Sequence, residues 1–159
     1  MAFPIEEQYI LAAEKQLNLV FPTSFKNKMM IENGGDVFVQ DDDWQIFPFF
    51  DQSNQKRKIR TCNHILHETK IAKQWTGFPL HAIAIARNGC GDYLVFLPQA
   101  HDQHTLSDLV YIWFHGTNEI QQVDLNFKIM EDPRFAKVFS DPRFVVAPKK
   151  AMKVKIDDR

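Results

Sequence analysis

The sequence predicts a single α+β domain, and three observations carry that prediction. The first third places apolar residues at helical spacing behind two prolines, Pro4 and Pro22. The stretch 81–125 is a succession of Val-, Ile-, Leu- and Phe-rich runs broken by polar residues. Two of those runs flank "RNGCG", and Asn-Gly between apolar runs is a hairpin signal. The length of 159 residues fits one domain, and such a domain buries about 68–70% of its unfolded surface without needing a disulfide or metal. The expected bounds are 1–145 for the domain and 146–159 for a charged tail that ends "PKKAMKVKIDDR" (148–159).

The elements follow in order. Residues 4–17 read as a helix, with Pro4 at the first helical position and Ile5, Tyr9, Ala13 and Leu17 recurring every four residues. Ile10 widens that stripe, and Glu6 and Glu7 suit the positive end of the dipole. A second helix starts at Pro22 and carries Phe25, Met29 and Met30 on one face. Asn33-Gly34-Gly35 is its stop, because glycine accepts the left-handed conformation after a helix. "DVFVQ" (36–40) and "WQIFPFF" (44–50) read as strands around an exposed turn, "QDDD" (40–43). Pro48 marks the second as an edge or a strand end. Trp44 and Ile46 alternate with Phe47 and Phe49, which predicts a strand covered on both faces.

"DQSNQKRKIR" (51–60) reads as a loop into a helix over 59–75, stopped by Gly77 and Pro79. Strands are expected at 81–86, 92–97, 108–115 and 119–125, with the last pair joined through "GTN". Asn88-Gly89 is expected to take positive φ at both turn positions. Asp92, after Gly91, suits a carboxylate accepting backbone N–H groups of the turn. "PQAHDQHTLS" (98–107) reads as a mobile loop and "NFKIMED" (126–132) as a short helix. "DPRF" occurs at 132–135 and 141–144, a spacing too short for a solenoid, and reads as two local turns.

Composition excludes some functions and leaves others. A formal net charge of −1 argues against direct nucleic-acid binding. The acidic start "MAFPIEEQYI" lacks the features of a signal peptide, and no apolar run reaches membrane length. The expectation is a reduced, soluble, cytoplasmic protein.

No residue spacing demands catalysis. Gly89-Cys90-Gly91 is followed by a strand, whereas a phosphate loop needs a helix there. Cys90 as a nucleophile has only Arg87 nearby in sequence, with His81 or His115 as remote candidates. His64, His67 and Glu68, or His101 and His104, offer metal-ligand types, but there is no H-E-x-x-H and Cys62 and Cys90 fit no zinc spacing. Asp41, Asp42, Asp43, Asp51, Glu68 and Asp92 offer carboxylates with nothing to say which converge. No catalytic residue, metal or cofactor is therefore assigned. A recognition surface is the remaining reading: the acid cluster Asp41-Asp42-Asp43 beside Trp44, and the polar stretch 99–107 with His101, Asp102 and His104. Asn33, Gly34, Gly35, Asn88, Gly89, Gly91 and Asp92 are taken as structural turn residues.

The order of these pieces resembles the SUKH superfamily, whose founding branch is the fungal cell-wall assembly regulator of the Smi/Knr type. The likeness spans roughly 5–130. It rests on Pro22, Asn33, Gly34, Gly35, Trp44, Asn88, Gly89, Gly91, Asp92, Val110, Tyr111, Trp113 and His115. One departure is the end of the strand after Gly-Asp, where the family often has an acid and this sequence has Leu97-Pro98 and a His-containing insertion. The resemblance implies a largely antiparallel sheet flanked by helices, and a non-enzyme. It implies an immunity protein that binds a cognate toxin, such as a nuclease or deaminase, or alternatively an intracellular regulatory scaffold.

Overall fold

The computed structural model describes residues 2–127. Four helices and six strands follow in the order α1 (Glu7–Leu17), α2 (Thr23–Ile31), β1 (Asp36–Val39), β2 (Asp42–Ile46), α3 (Gln55–Arg60), α4 (Ile65–Ala72), β3 (Ile83–Arg87), β4 (Tyr93–Gln99), β5 (Asp102–Trp113) and β6 (Ile120–Val123). The strands form one sheet in sequence order, β1 at one edge and β6 at the other, and every neighbouring pair is antiparallel. The α+β class and the antiparallel sheet are as expected. The "DPRF" repeats, the boundary at 145, the tail and the helix expected beyond Phe127 lie outside the described residues.

α1 begins at Glu7 and not at Pro4, because the residues before it are used elsewhere. Ile5 is buried, and the Phe3 carbonyl accepts the Asn33 N–H at 2.8 Å, which straps the N-terminus across the end of α2. The α1 carboxylate of Glu14 accepts the Phe21 N–H at 2.8 Å and pairs with Lys26 at 3.2 Å, fixing α2 against α1. Asn33-Gly34-Gly35 does more than stop α2. The Asn33 amide donates to the Phe49 carbonyl at 2.9 Å and accepts the Phe49 N–H at 2.8 Å, so both the nitrogen and the oxygen of this buried side chain are hydrogen-bonded. The Lys28 amine donates to the carbonyls of Gly34 and Glu32. Burial pushes its pKa down to about 8, against the opposing pull of Glu32.

The β1–β2 turn consists of Gln40 and Asp41, both at positive φ (54° and 57°), the pattern of a tight hairpin. Asp42 and Asp43 therefore belong to β2 and not to an exposed loop, with Phe38 opposite Asp43. Burial alternates cleanly: Val37, Val39, Trp44 and Ile46 point inward, while Asp36, Phe38, Asp43 and Gln45 face solvent. The strand covered on both faces is thus corrected. Only after the strand ends at Ile46 do Phe47, Pro48 and Phe49 all become buried. Pro48 marks an end, and the edge strand is β1.

α3 falls in the stretch 51–60 expected as a loop, and the helix expected over 59–75 shortens to α4 at 65–72. Asn54 caps α3 by accepting the Arg57 N–H at 2.9 Å, and His64 Nδ1 caps α4 by accepting the His67 N–H at 3.3 Å. Two capping side chains so close together each start their own helix. Cys62 falls in the break, and Ile59 is left exposed.

The stretch 98–107 is not a loop. It closes a long β4–β5 hairpin, with Pro98 opposite Leu106, Gln99 opposite Asp102, and register shifts on either side of Pro98. A second attachment completes it: Val20 N–H donates to the His104 carbonyl at 2.8 Å, and Leu106 N–H to the Val20 carbonyl at 2.9 Å. Polar composition concealed these β-pairings because they are made by backbone groups.

The two faces of the central strands are both covered. On one, Phe25 from α2 meets Phe49, Phe96 and Phe127 at ring separations of 5.9, 5.1 and 5.0 Å. On the other, Phe78 packs on Tyr93 and Trp113 at 5.9 and 5.2 Å. Thr69 of α4 accepts the Ala84 N–H at 3.0 Å beside the irregularity in β3, which ties the helix to the sheet.

Candidate functional site

An antiparallel meander puts every second turn at the same end. The β1–β2, β3–β4 and β5–β6 turns therefore gather at one end of the sheet, and two side chains tie them together. Asn88 Oδ1 accepts the N–H groups of Cys90 and Asp92 at 2.9 and 3.0 Å. Its Nδ2 donates to Asp42 Oδ2 at 2.9 Å and to Asp92 Oδ2 at 3.2 Å. Asp92 Oδ1 accepts the His115 N–H at 3.1 Å and His115 Nδ1 at 2.9 Å. One amide and one carboxylate thus span all three turns.

This geometry corrects two expectations. Asn88 and Gly89 do not take positive φ, and in this connection the left-handed position is Gly91, at φ 92°. The connection is longer than two residues, and the Asn88 side chain replaces the tight backbone turn. The backbone N–H groups of the turn go to Asn88, and the Asp92 carboxylate accepts instead the Asn88 side-chain amide and His115 of the β5–β6 turn. Partial burial pushes the Asp92 carboxyl up, but hydrogen bonds from His115 and Asn88 outweigh it and hold the group below the usual carboxylate range. His115 packs against Gly91, where a Cβ would lie 3.2 Å from the imidazole.

The surface above this network is acidic. Asp41, Asp43 and Glu119 are exposed, and Asp42 and Asp92 are half-buried. A groove of about 570 Å³ runs alongside, lined by Asp36, Asp43, Gln45, Arg87, Asn88 and Tyr93 among others. Burial pushes the Tyr93 hydroxyl up from its ordinary value, so it is neutral.

The sequence pattern of the SMI1 / KNR4 family (SUKH-1) matches residues 4–131, well over half of the chain. This chain belongs to the SMI1 / KNR4 family. No curated protein and no solved structure matched it.

The sequence placed this SUKH-1 domain's recognition surface in two segments, and the fold separates them. Asp41, Asp42 and Asp43 sit at the three-turn end. His101, Asp102 and His104 sit at the opposite end of β4, a strand of 7 residues, about 20 Å away at 3.3 Å per residue. There Asp102 accepts from Thr105 Oγ1 at 2.7 Å and from the His104 N–H at 3.0 Å, and His104 Nδ1 lies 3.1 Å from the Asn18 carbonyl. The hydrogen bonds from Thr105 and His104 hold the Asp102 carboxyl low. These contacts build the hairpin.

Trp44 is 2% exposed, and its indole N–H donates to the Val39 carbonyl at 3.1 Å. It is a core residue and cannot reach a partner. The exposed tryptophan is Trp75, at 44%, with its ring 5.4 Å from that of His115. The sequence reading places it at the end of the helix expected over 59–75. Its exposure follows from α4 ending at Ala72, and Gly77 with Pro79 was the only hint.

The chemical candidates stay apart. Cys62 and Cys90 are exposed free thiols. Asp51 is buried, accepting the Ser53 N–H at 3.0 Å and pairing with Arg57 at 3.6 Å. His64 serves α4 as a cap and lies on Phe50. Among the described residues, no three His, Cys, Asp or Glu side chains are placed to hold a metal ion, and no helix is long and apolar enough to cross a membrane.

Proposed function

We propose that this domain is a non-enzymatic protein-binding module that acts as an immunity protein, neutralising a polymorphic toxin such as a nuclease or deaminase. Family membership supports the class. The observation that carries the reading is the convergence of Asp41, Asp42, Asp43, Asp92 and Glu119 at one end of the sheet, on turns fixed by Asn88 and Asp92. Basic groups that hold phosphate in a nuclease are the natural counterpart of such a surface, and charge pairing would speed their encounter. The weak overall charge of −1 is no obstacle, because the acids are local.

The test is to read the genes that flank this one for a polymorphic toxin and to co-express the toxic C-terminal domain of any such toxin with this chain; flanks without a toxin gene count against the proposal. Growth rescue and a stoichiometric complex on gel filtration are expected. A neighbouring toxin that neither binds nor is neutralised would overturn the proposal. The matched branch is named for the cell-wall regulators, which favours a regulatory scaffold as the second reading; a defined complex with wall-synthesis enzymes in place of a toxin would establish it.

A further inference from the structure

The acidic end borders an apolar surface left open among the described residues. Trp75, Leu80 and Ile120 are 44%, 73% and 42% exposed. The segment carrying the first two lies along the β5–β6 turn: Trp75 meets His115, Gly77 lies against Asn118, and Phe78 covers Trp113. Ile120 is opposite Trp113 on β6, which places it on that same face of the sheet. The Trp75 ring packs against the imidazole of His115, with ring centroids 5.4 Å apart and planes inclined at 61°. His115 in turn is bonded to Asp92, the carboxylate that ties the three turns. Trp75 is therefore joined through His115 and Asp92 to the acids and not isolated from them.

A rigid, half-exposed tryptophan loses little conformational freedom on binding, and tryptophans so placed beside a polar rim are the usual anchors of interfaces. We infer that Trp75, with Ile120 beside it, is the anchor of the docking surface, and that the partner segment covering it carries arginine or lysine next to an apolar side chain. This rests on the acidic-end reading above, and charge complementarity selects the occupant. The apolar side chain covers Ile120 and the edge of Trp75. The cation lies on the indole face or meets Asp43 and Glu119. A purely basic segment leaves the apolar surface wet, and an acidic one is repelled.

The probes are two synthetic peptides of equal length, one alternating arginine and leucine, the other alternating glutamate and leucine. Binding is followed by backbone amide shifts and by tryptophan fluorescence on the full chain. The arginine peptide is expected to shift amides around Trp75, His115 and Ile120. Trp75→Ala should weaken it by about tenfold or more, and Trp75→Phe by only about threefold, with an unchanged melting curve. Equal binding of the two peptides, shifts confined to another surface, or full affinity in Trp75→Ala overturns the inference. Asp43→Lys combined with Glu119→Lys separates the two readings. Loss of binding here but not in Trp75→Ala removes the anchor and keeps the acidic surface. Loss in Trp75→Ala alone keeps the anchor and removes the acidic surface.

Discussion

The sheet face beneath α1 and α2 and the three-turn end of the same sheet are held by different forces. Beneath the helices, Phe21, Phe25, Phe49, Phe96 and Phe127 pack edge to face with no polar partner needed. At the turns, Asn88 and Asp92 join three connections through six hydrogen bonds while most of the surrounding acids stay in solvent. The first region supplies stability, and the second holds a charged surface in a fixed shape. Changes in one should therefore leave the function of the other largely intact.

The largest expected effect is in the packed face. Phe25→Ala removes a fully buried ring with four aromatic neighbours, and should cost about 3–5 kcal/mol in denaturant unfolding. Partner affinity of the fraction that remains folded should be unchanged. A large affinity loss in that fraction would show that the two regions are not separable.

The hub is next. Asp92→Ala leaves the His115 N–H without its acceptor and the Asn88 amide with Asp42 alone, at a cost of about 1–3 kcal/mol. Hydrogen exchange should quicken at all three turns but not under α1. Acid should do the same to the native protein. The folded pKa of Asp92 lies below its unfolded value, so its contribution is present above about pH 4 and is lost as pH falls through the folded pKa. Uniform acid loosening across the sheet would contradict a local hub.

The glycine pair is a sharper probe of the same turn. Gly91→Val must adopt φ 92° and press on His115, costing about 1–3 kcal/mol. Gly89→Val meets nothing within 4 Å and has no positive φ, so it should stay within about 0.5 kcal/mol. Equal melting shifts for the two would restore the Asn-Gly turn that the sequence suggested.

The smallest effect lies outside both regions. Burial, and secondarily His67, lowers the His64 pKa, and the cap needs His64 Nδ1 unprotonated. Its contribution is complete above pH 6.5 and is lost as pH falls through the folded pKa, by at most about 1 kcal/mol for a cap bond of this kind. His64→Asn keeps the cap and should remove that part of the pH profile between native and variant.

The packed face was legible because burial imposes a period: Phe25 and Met29 on α2, and the runs at 92–97 and 108–115, announce themselves by spacing. The hub was legible only in its residue types. Asn88, Asp92 and His115 were singled out, but which turns they join depends on strand order, which no local pattern contains. Asp41 and Asp43 are exposed as expected while Trp44 is buried, because alternation says which residues share a face and not which face is wet. The stretch 98–107 was misread as a loop for the opposite reason: a polar composition hid a paired hairpin whose bonds are in the backbone. Trp75 needed the helix to stop three residues early, and helix ends are set by caps such as His64 together with tertiary contacts.

The acidic end itself is tested most directly by association kinetics with the toxin domain, at low and high salt, for the native chain and for a variant carrying Asp43→Lys and Glu119→Lys with Asp41→Asn. Asparagine is chosen at 41 because that residue sits at φ 57°, a conformation asparagine tolerates. Asp42 is left in place because it accepts from Asn88. The account predicts an association rate lower by about ten- to a hundredfold at low salt, a difference that shrinks at high salt, and a native melting curve. An unchanged association rate in a folded variant would contradict it and move the interface off the acidic end.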